Sequence, residues 1–419
     1  MIAVPCPLSA DRPEALRALA RQIAADVAGD PAMTPGDVVR GLADRCRGTH
    51  RAVVIAASRA GLLGGLSALA DGAPADGVYA GQAAPGPGAV FVFPGQGSQW
   101  PGMALELYAS SAVFRGRLDV VAAELGPWVG WDLLDVLAGE PGAPGLDRVD
   151  VVQPALFAVM VSLAALWAAF GVQPAAVIGH SQGEIAAAHV AGALSLADAV
   201  RVIVMRGRVL RHLTGRGGML SVPMPSEWVA RYVAERADNL AVAAENGPGS
   251  VVVSGDLPAL RQLVERCAAE GVRARMIKVN YPSHSPQIDE IRAELLDGIA
   301  DVSAGPGTAP YYSSVAGGPV EGAALTADYW YRNLRQTVRF ESAVRAATAA
   351  GHVRYIEVSP HPVVAHGMQL TLKNTPGAGV FGSVRRGEGG MERFLRSVAE
   401  AYVHGVDVAW PAADFSREW

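Results

Sequence analysis

Cysteine is scarce in this 419-residue chain. Cys6, Cys46 and Cys267 are the only three, and they lie far apart. That excludes a disulfide framework and fits a reducing compartment. No Cys/His cluster has zinc-ligand spacing, so no metal site is expected. Positive charge is short as well: 35 Lys and Arg against 40 Asp and Glu leave a net charge of −5. There is no basic field for nucleic acid. The most apolar run, ALFAVMVSLAALWAAF (155–170), falls below the roughly 20 residues that cross a bilayer and reads as a buried helix. The first residues, MIAVPCPLSADRPEALRALA, lack a basic segment followed by an apolar core and do not read as a signal peptide. A soluble cytoplasmic protein, with neither a membrane nor nucleic acid as partner, is expected. No internal repeat is visible.

Apolar residues, by contrast, make up 50% of the chain. A large core is available, and the length suggests two or three compact units. Residues 1 to about 75 hold two helical stretches, near 12–28 and 59–70, and a strand RAVVIAA (51–57). The Gly-, Ala- and Pro-rich segment DGAPADGVYAGQAAPGPG (71–88) reads as a loop or linker. AVFVF (89–93) then reads as a buried strand running into the Gly-rich PGQGSQW. The 155–170 helix, the strand PAAVIGH and the helix after Ser181 continue an alternating order, which implies a parallel sheet.

From 219 to 280 the pattern changes. MLSVPM is a strand, and PSEWVARYVAER is a helix with Ser226 as its N-cap. LAVAAENG and SVVVSG are strands around an Asn-Gly-Pro-Gly turn, DLPALRQLVERCAAEG is a helix closed by Gly271, and VRARMIKVN is a strand. The order βαββαβ is that of a ferredoxin-like unit. It is an insertion, because the apolar-strand pattern resumes at VRYIEVSPHP (353–362).

VIGHSQGEIAA (177–187) contains Gly179-His180-Ser181-Gln182-Gly183, the G-x-S-x-G pattern between strand and helix. A tight turn there exposes the Ser181 hydroxyl at a helix N-terminus, where developing negative charge is favoured. The N–H of Gln182 is one candidate oxyanion donor, and that of Gln96 in PGQGSQ is the second. PGQGSQ is not a phosphate cradle, since G-x-x-x-x-G-K-[ST] is absent and no lysine stands nearby. A serine nucleophile needs a base. His180 is adjacent, but neighbours on a tight turn point apart. His284, in VNYPSHSPQID and stiffened by Pro282 and Pro286, is the candidate. No acid stands out as a third member, for Asp289 and Glu290 follow on a helix leading away; a Ser-His dyad oriented by a backbone carbonyl is expected.

Together FVFPGQGSQWPGM (91–103), RVDVVQPALF (148–157), GHSQGEIAAAHVAGALSL (179–196), RGRVL (206–210), GRGGM (215–219), YPSHSPQ (281–287), YWYRNLRQTVRF (329–340) and IEVSPHPV (356–363) resemble the acyltransferase domain of modular type I polyketide synthases, and more distantly malonyl-CoA:acyl-carrier-protein transacylases. The resemblance implies an α/β fold: an α/β-hydrolase-like large subdomain with a nucleophile elbow (88–214 and 281–379), a ferredoxin-like small subdomain (215–280), an N-terminal ketosynthase-to-acyltransferase linker domain (1–87) and a post-acyltransferase linker (380–419). It implies an excised piece of a larger synthase, with a ketosynthase and an acyl carrier protein as partners.

By the same resemblance Ser181 is acylated and His284 is base, then acid. Asn333 offers its backbone carbonyl to His284, the N–H groups of Gln96 and Gln182 hold the oxyanion, and Arg206 grips the free carboxylate of the acyl group. An always-charged guanidinium suits that task, since it binds carboxylates bidentately. Gln153 lies near the site. Acyl-CoA is the donor, the carrier's phosphopantetheine thiol is the acceptor, and no cofactor is bound. Tyr281-Pro282-Ser283-His284 resembles the Tyr-Ala-Ser-His of methylmalonyl types, except at Pro282. Methylmalonyl is therefore the expected extender, with ethylmalonyl or a larger unit as the alternative. A serine hydrolase and a non-catalytic carrier-docking module are the rivals from other classes.

Overall fold

A computed structural model describes residues 3–42, 48–235 and 240–410. Cys46 lies outside them; Cys6 and Cys267 are buried. Three sheets organise the described residues.

The central sheet has six strands, in spatial order Gly318–Val320, Tyr311–Ser313, Ala176–Gly179, Val90–Phe93, Arg354–Glu357 and Gly379–Phe381. All neighbours pair in parallel except the edge strand Gly318–Val320, which is antiparallel. The parallel sheet expected from the alternating pattern is thus present. Its central strands are buried on both faces, which is why AVFVF and AVIG are continuous apolar runs. Phe93 pairs with Gly179, so the two strands end side by side. The loops that follow them, carrying Gln96 and Ser181, are neighbours at the carboxyl edge of the sheet, where open α/β sheets form their sites.

Helix Val149–Ala169 packs against this sheet. It has 21 residues, six more at its start than the apolar run implied, so shortness does not exclude a membrane span. Burial does the explaining: 89% of its most apolar window is inside the protein, as in a core helix.

The second sheet is antiparallel, in order Leu240–Gly247, Ser250–Gly255, Gly218–Val222, Arg275–Met276. With helices Ser226–Ala234 and Leu257–Ala269 it makes the ferredoxin-like βαββαβ arrangement. Two expectations need correction. The last strand keeps only Arg275 and Met276 of the predicted nine residues, because only these pair with Leu220 and Ser221. Ser226 is the first helical residue and not the cap; its hydroxyl donates to Glu245, and Pro225 precedes the helix. Strand Leu240–Gly247 also receives the segment after Gln336: Glu245 N–H donates to Val338 O at 2.9 Å, and Val338 N–H to Ala243 O at 2.9 Å.

The third sheet joins Val4–Ala10, His50–Ala56 and Val78–Gln82, antiparallel throughout. Val78–Gln82 lies in the stretch expected to be loop; its edge pairing overrides a Gly- and Ala-rich composition. Helices Pro13–Gly29 and Arg59–Asp71 cover one face. The final helix, Met391–Val403, returns to this sheet: Arg51 Nη1 donates to the carbonyls of Tyr402 and Val406 at 3.3 and 3.1 Å.

Candidate active site

Ser181 has φ +54°, left-handed for a residue with a Cβ. Such strain costs on the order of 1–3 kcal/mol and has to be held by its surroundings. The glycines on either side explain how. A Cβ on Gly179 would lie 2.2 Å from Glu184 Cα, and one on Gly183 would lie 2.0 Å from Phe93 O. Strand, turn and helix close so tightly that only glycine fits at both places, and the hydroxyl is thrust out at the start of helix Gly183–Val190.

His284 Nε2 lies 2.8 Å from Ser181 Oγ. His284 also has a positive φ, +58°. Its N–H donates to Leu334 O at 3.0 Å, and its Nδ1 lies 2.8 Å from Gln336 O. A carbonyl only accepts, so Nδ1 carries the proton and Nε2 is the bare nitrogen facing the serine. The imidazole thus rests on the end of helix Ala327–Arg335, where carbonyls lack helical partners. Asn333, expected to supply this carbonyl, does not; Gln336, three residues on, does. Gln336 is past the helix end, and its position is held by the pairing of Thr337 and Val338 with the small sheet, where Thr337 Oγ1 donates to Val242 O at 2.7 Å.

Asn333 serves the site through its side chain. Its Nδ2 donates to Ser181 O at 3.1 Å, and its Oδ1 accepts from Arg206 Nη1 at 2.8 Å. Arg206 Nη2 donates to Ser181 Oγ at 3.0 Å. Arg206 is only 3% exposed, forms no salt bridge among the described residues, and its Nε has no hydrogen-bond partner. Burial lowers its pKa to about 10, which still leaves it charged at neutral pH. A buried cation without an anion is costly, and here it points at the serine. Burial first, and then the Arg206 charge, push the His284 pKa down to about 3, so the imidazole is neutral and able to accept a proton.

The other expected site residues converge on the same place. Tyr281 hydroxyl donates to Gln96 Oε1 at 2.7 Å, and Gln153 Nε2 reaches that hydroxyl at 3.5 Å. Burial raises the Tyr281 pKa to about 12, keeping it a neutral donor. Gln182 is buried with neither side-chain polar atom bonded. Ser283 Oγ faces Met219 Sδ at 3.5 Å, and Pro282 packs where a Cβ on Gly217 would meet it at 2.9 Å. Both contacts are with the start of the ferredoxin-like unit. Asp289 and Glu290 are elsewhere, in exposed pairs with Arg335 and Arg216. The hydroxyl, the base and the guanidinium can together support acyl transfer to and from serine.

Two further side chains support the elbow, and of these Glu184 escaped the sequence reading. His180 Nε2 bonds Asn246 Oδ1 at 2.8 Å, linking the elbow to the small sheet. Glu184, three residues past the serine and fully buried, accepts from Tyr311 hydroxyl at 2.6 Å, from Ser314 N–H at 3.0 Å, and from the hydroxyls of Ser314 and Tyr329. Burial raises its pKa. The signal was a lone acid in the otherwise apolar GEIAAA run.

Comparison with known proteins gives the family. Residues 90–408 match the family model described as "Acyl transferase domain". The chain is 51% identical over 412 residues to polyketide synthase GfsB of Streptomyces halstedii, covering 96% of this chain and 7% of that protein. It therefore spans a small part of such relatives. The crystal structure of the acyltransferase domain from module 8 of the salinomycin polyketide synthase is similar over 98% of both chains, with a TM-score of 0.94 and 51% identity. The acyltransferase domain of SpnD in complex with 2-(pent-4-yn-1-yl)malonyl is similar over 98% of both chains, with a TM-score of 0.85 and 28% identity. The chain belongs to the acyl transferase domain family, as an acyltransferase domain of the modular polyketide synthase type.

Proposed function

We propose that this domain loads an α-carboxyacyl extender unit from CoA onto Ser181 and passes it to the phosphopantetheine thiol of an acyl carrier protein. The observation that carries the proposal is the buried Arg206 guanidinium, unpaired with any carboxylate among the described residues and 3.0 Å from Ser181 Oγ. A carboxylate on the acyl group supplies the missing anion. A monocarboxylic acyl group would leave the cation buried and unpaired, which disfavours it.

In this cycle Ser181 gives its proton to His284 Nε2 as its oxygen bonds the thioester carbon. The backbone N–H groups of Gln96 and Gln182 hold the oxyanion beside a helix N-terminus. The C–S bond breaks, and the CoA thiolate takes the proton from His284. The carrier thiol then repeats the steps in reverse order, giving ping-pong kinetics. Gln336 O holds the imidazole tautomer throughout.

Methylmalonyl is the extender this reading favours. A small Ser283 beside Tyr281 leaves room for an α-methyl, and the SpnD domain was captured with an α-substituted malonyl group. One methylene is worth only about 1–3 kcal/mol in such a pocket, so ethylmalonyl is the alternative. The division into linker (1–87), large subdomain (88–214 and 281–379), small subdomain (215–280) and post-acyltransferase linker (380–419) is part of the proposal, supported by the three separate sheets. A ketosynthase neighbour and a cytoplasmic setting, where CoA thioesters are supplied, complete it.

The test is a two-step transfer. Acylated protein freed of excess donor is mixed with phosphopantetheinylated carrier protein. Acyl group appearing on the carrier at the rate it leaves Ser181 supports transfer, whereas free acid without carrier loading supports a hydrolase.

A further inference from the structure

Outside the dyad, one surface combines aromatic and cationic side chains next to the site. A cleft of about 460 Å³ is lined by Trp128, Trp131, Arg148, Asp150, Arg208 and Arg211. A second, of about 470 Å³, shares Arg148, Asp150 and Arg211 with it and extends to Thr214 and Asn280. The two form one groove. Its inner end is at Asn280, the residue before Tyr281, whose hydroxyl joins Gln96 and Gln153. Asp150 is three residues before Gln153 on one helix, and Arg211 follows directly after the helix Leu196–Leu210 that carries Arg206. The groove thus runs from residues that neighbour Gln153 and Tyr281 in the chain to the two tryptophans.

Its charges are arranged around Asp150. Arg148 grips that carboxylate at 3.2 and 2.7 Å. Arg211 reaches it only through Nη1, at 3.4 Å, and is 58% exposed. Arg208 anchors Nη2 on Trp128 O at 2.8 Å. Asp147 adds one further negative charge at the inner end. Three guanidinium groups against two carboxylates leave the floor cationic, with Arg211 facing solvent. Other clefts differ: one near Glu106, Glu388 and Glu392 is acidic, and one between Trp228 and Arg266 lies on the far helices of the small unit.

We infer that this groove binds the nucleotide end of the acyl-CoA donor, its phosphates on Arg211 and Arg148 and its adenine against Trp131. Guanidinium forks suit phosphate oxygens, and a half-buried indole offers a stacking face for a base. The inference rests on acyl-CoA being the donor, as proposed above.

The experiment compares two donors that differ only in the nucleotide: methylmalonyl-CoA and methylmalonyl-pantetheine. Ser181 acylation is followed with wild type, Arg211→Glu and Arg148→Ala. Both changes lie at the surface, where substitutions leave stability nearly intact. The expected result is a rise in KM of about tenfold or more for the CoA thioester in Arg211→Glu, from loss of a charge-assisted phosphate contact. Its kcat stays unchanged, and so does KM for the pantetheine thioester. Adenosine 3′,5′-bisphosphate should compete with the CoA thioester and not with the pantetheine one. Equal changes for both donors, or none, would overturn the inference while leaving the transfer reaction standing. A defect confined to delivery onto the carrier protein would also overturn it, marking the groove as a protein-docking surface. Failure of wild type to be acylated by either donor would remove the proposed function, and the inference with it.

Discussion

Arg206 donates from Nη2 to the Oγ of Ser181 at 3.0 Å, on the side of that oxygen not taken by His284. The nucleophile is therefore held between a base and a cation. In the proposed cycle a substrate carboxylate draws the guanidinium to itself, which couples recognition to release of the Ser181 lone pair.

Arg206→Ala is expected to cut kcat/KM for methylmalonyl-CoA by about 100- to 10,000-fold, the worth of two charge-assisted hydrogen bonds of about 1.5–3 kcal/mol each. Arg206→Lys should recover little, because an ammonium cannot contact both Asn333 and a carboxylate as a fork does. The ratio of propionyl-CoA to methylmalonyl-CoA turnover should rise in both. Initial rates with the two donors check this.

The pH profile should differ from that of an ordinary histidine base. His284 is held near 3 by burial and by Arg206, against its ordinary 6.5. Because the neutral form is the active one, kcat/KM should stay flat as pH falls from 8 to about 5, with no break near 6.5. In Arg206→Ala one lowering cause is gone, so the acid limb should move up. Stability follows with a definite sign. The folded pKa lies below the unfolded one, so the His284 contribution is complete above about 6.5 and is lost as pH falls towards 3. Thermal melts of wild type and His284→Gln should converge on going from pH 7 to pH 4.

Asn333 ties the nucleophile's backbone to Arg206. Asn333→Ala should reduce kcat/KM roughly 10- to 100-fold, through two lost hydrogen bonds of about 1 kcal/mol each and a looser Arg206. Asn333→Asp should chiefly raise KM, since a carboxylate there pairs with Arg206 and competes with the substrate. Steady-state constants for the two variants separate these effects.

Glu184→Ala should destabilise the domain by about 3 kcal/mol or more, because it strands buried donors on Tyr311, Tyr329 and Ser314. Glu184→Gln should cost less, since it keeps one carbonyl oxygen in the pocket. Denaturant midpoints measure both.

Why some of this was legible in the sequence, and some not, has physical grounds. Ser181 announced itself because a G-x-S-x-G turn needs glycine at both 179 and 183, and the structure shows the clashes any Cβ would make there. The buried strands were legible as continuous apolar runs. Gln336 was not, because choosing among the carbonyls at a helix end depends on how residues 337 and 338 pair with a strand nearly a hundred positions earlier. Strand Val78–Gln82 was hidden by its Gly- and Ala-rich setting, and the first turn of helix Val149–Ala169 by the polar Asp150 and Gln153 and by Pro154 inside it. The Glu184 cluster joins three separated segments, and no local pattern carries that.

The most direct test of the account is the intact mass of the protein after brief mixing with equal amounts of malonyl-, methylmalonyl-, ethylmalonyl- and propionyl-CoA, with Ser181→Ala as control. The account predicts a methylmalonyl adduct in wild type that is absent from the variant. An ethylmalonyl adduct would keep the chemistry and overturn the extender assignment at Tyr281, Pro282 and Ser283. A propionyl adduct, or an α-carboxyacyl adduct surviving in Ser181→Ala, would contradict the central claim that Arg206 and Ser181 together select and carry a carboxylated acyl group.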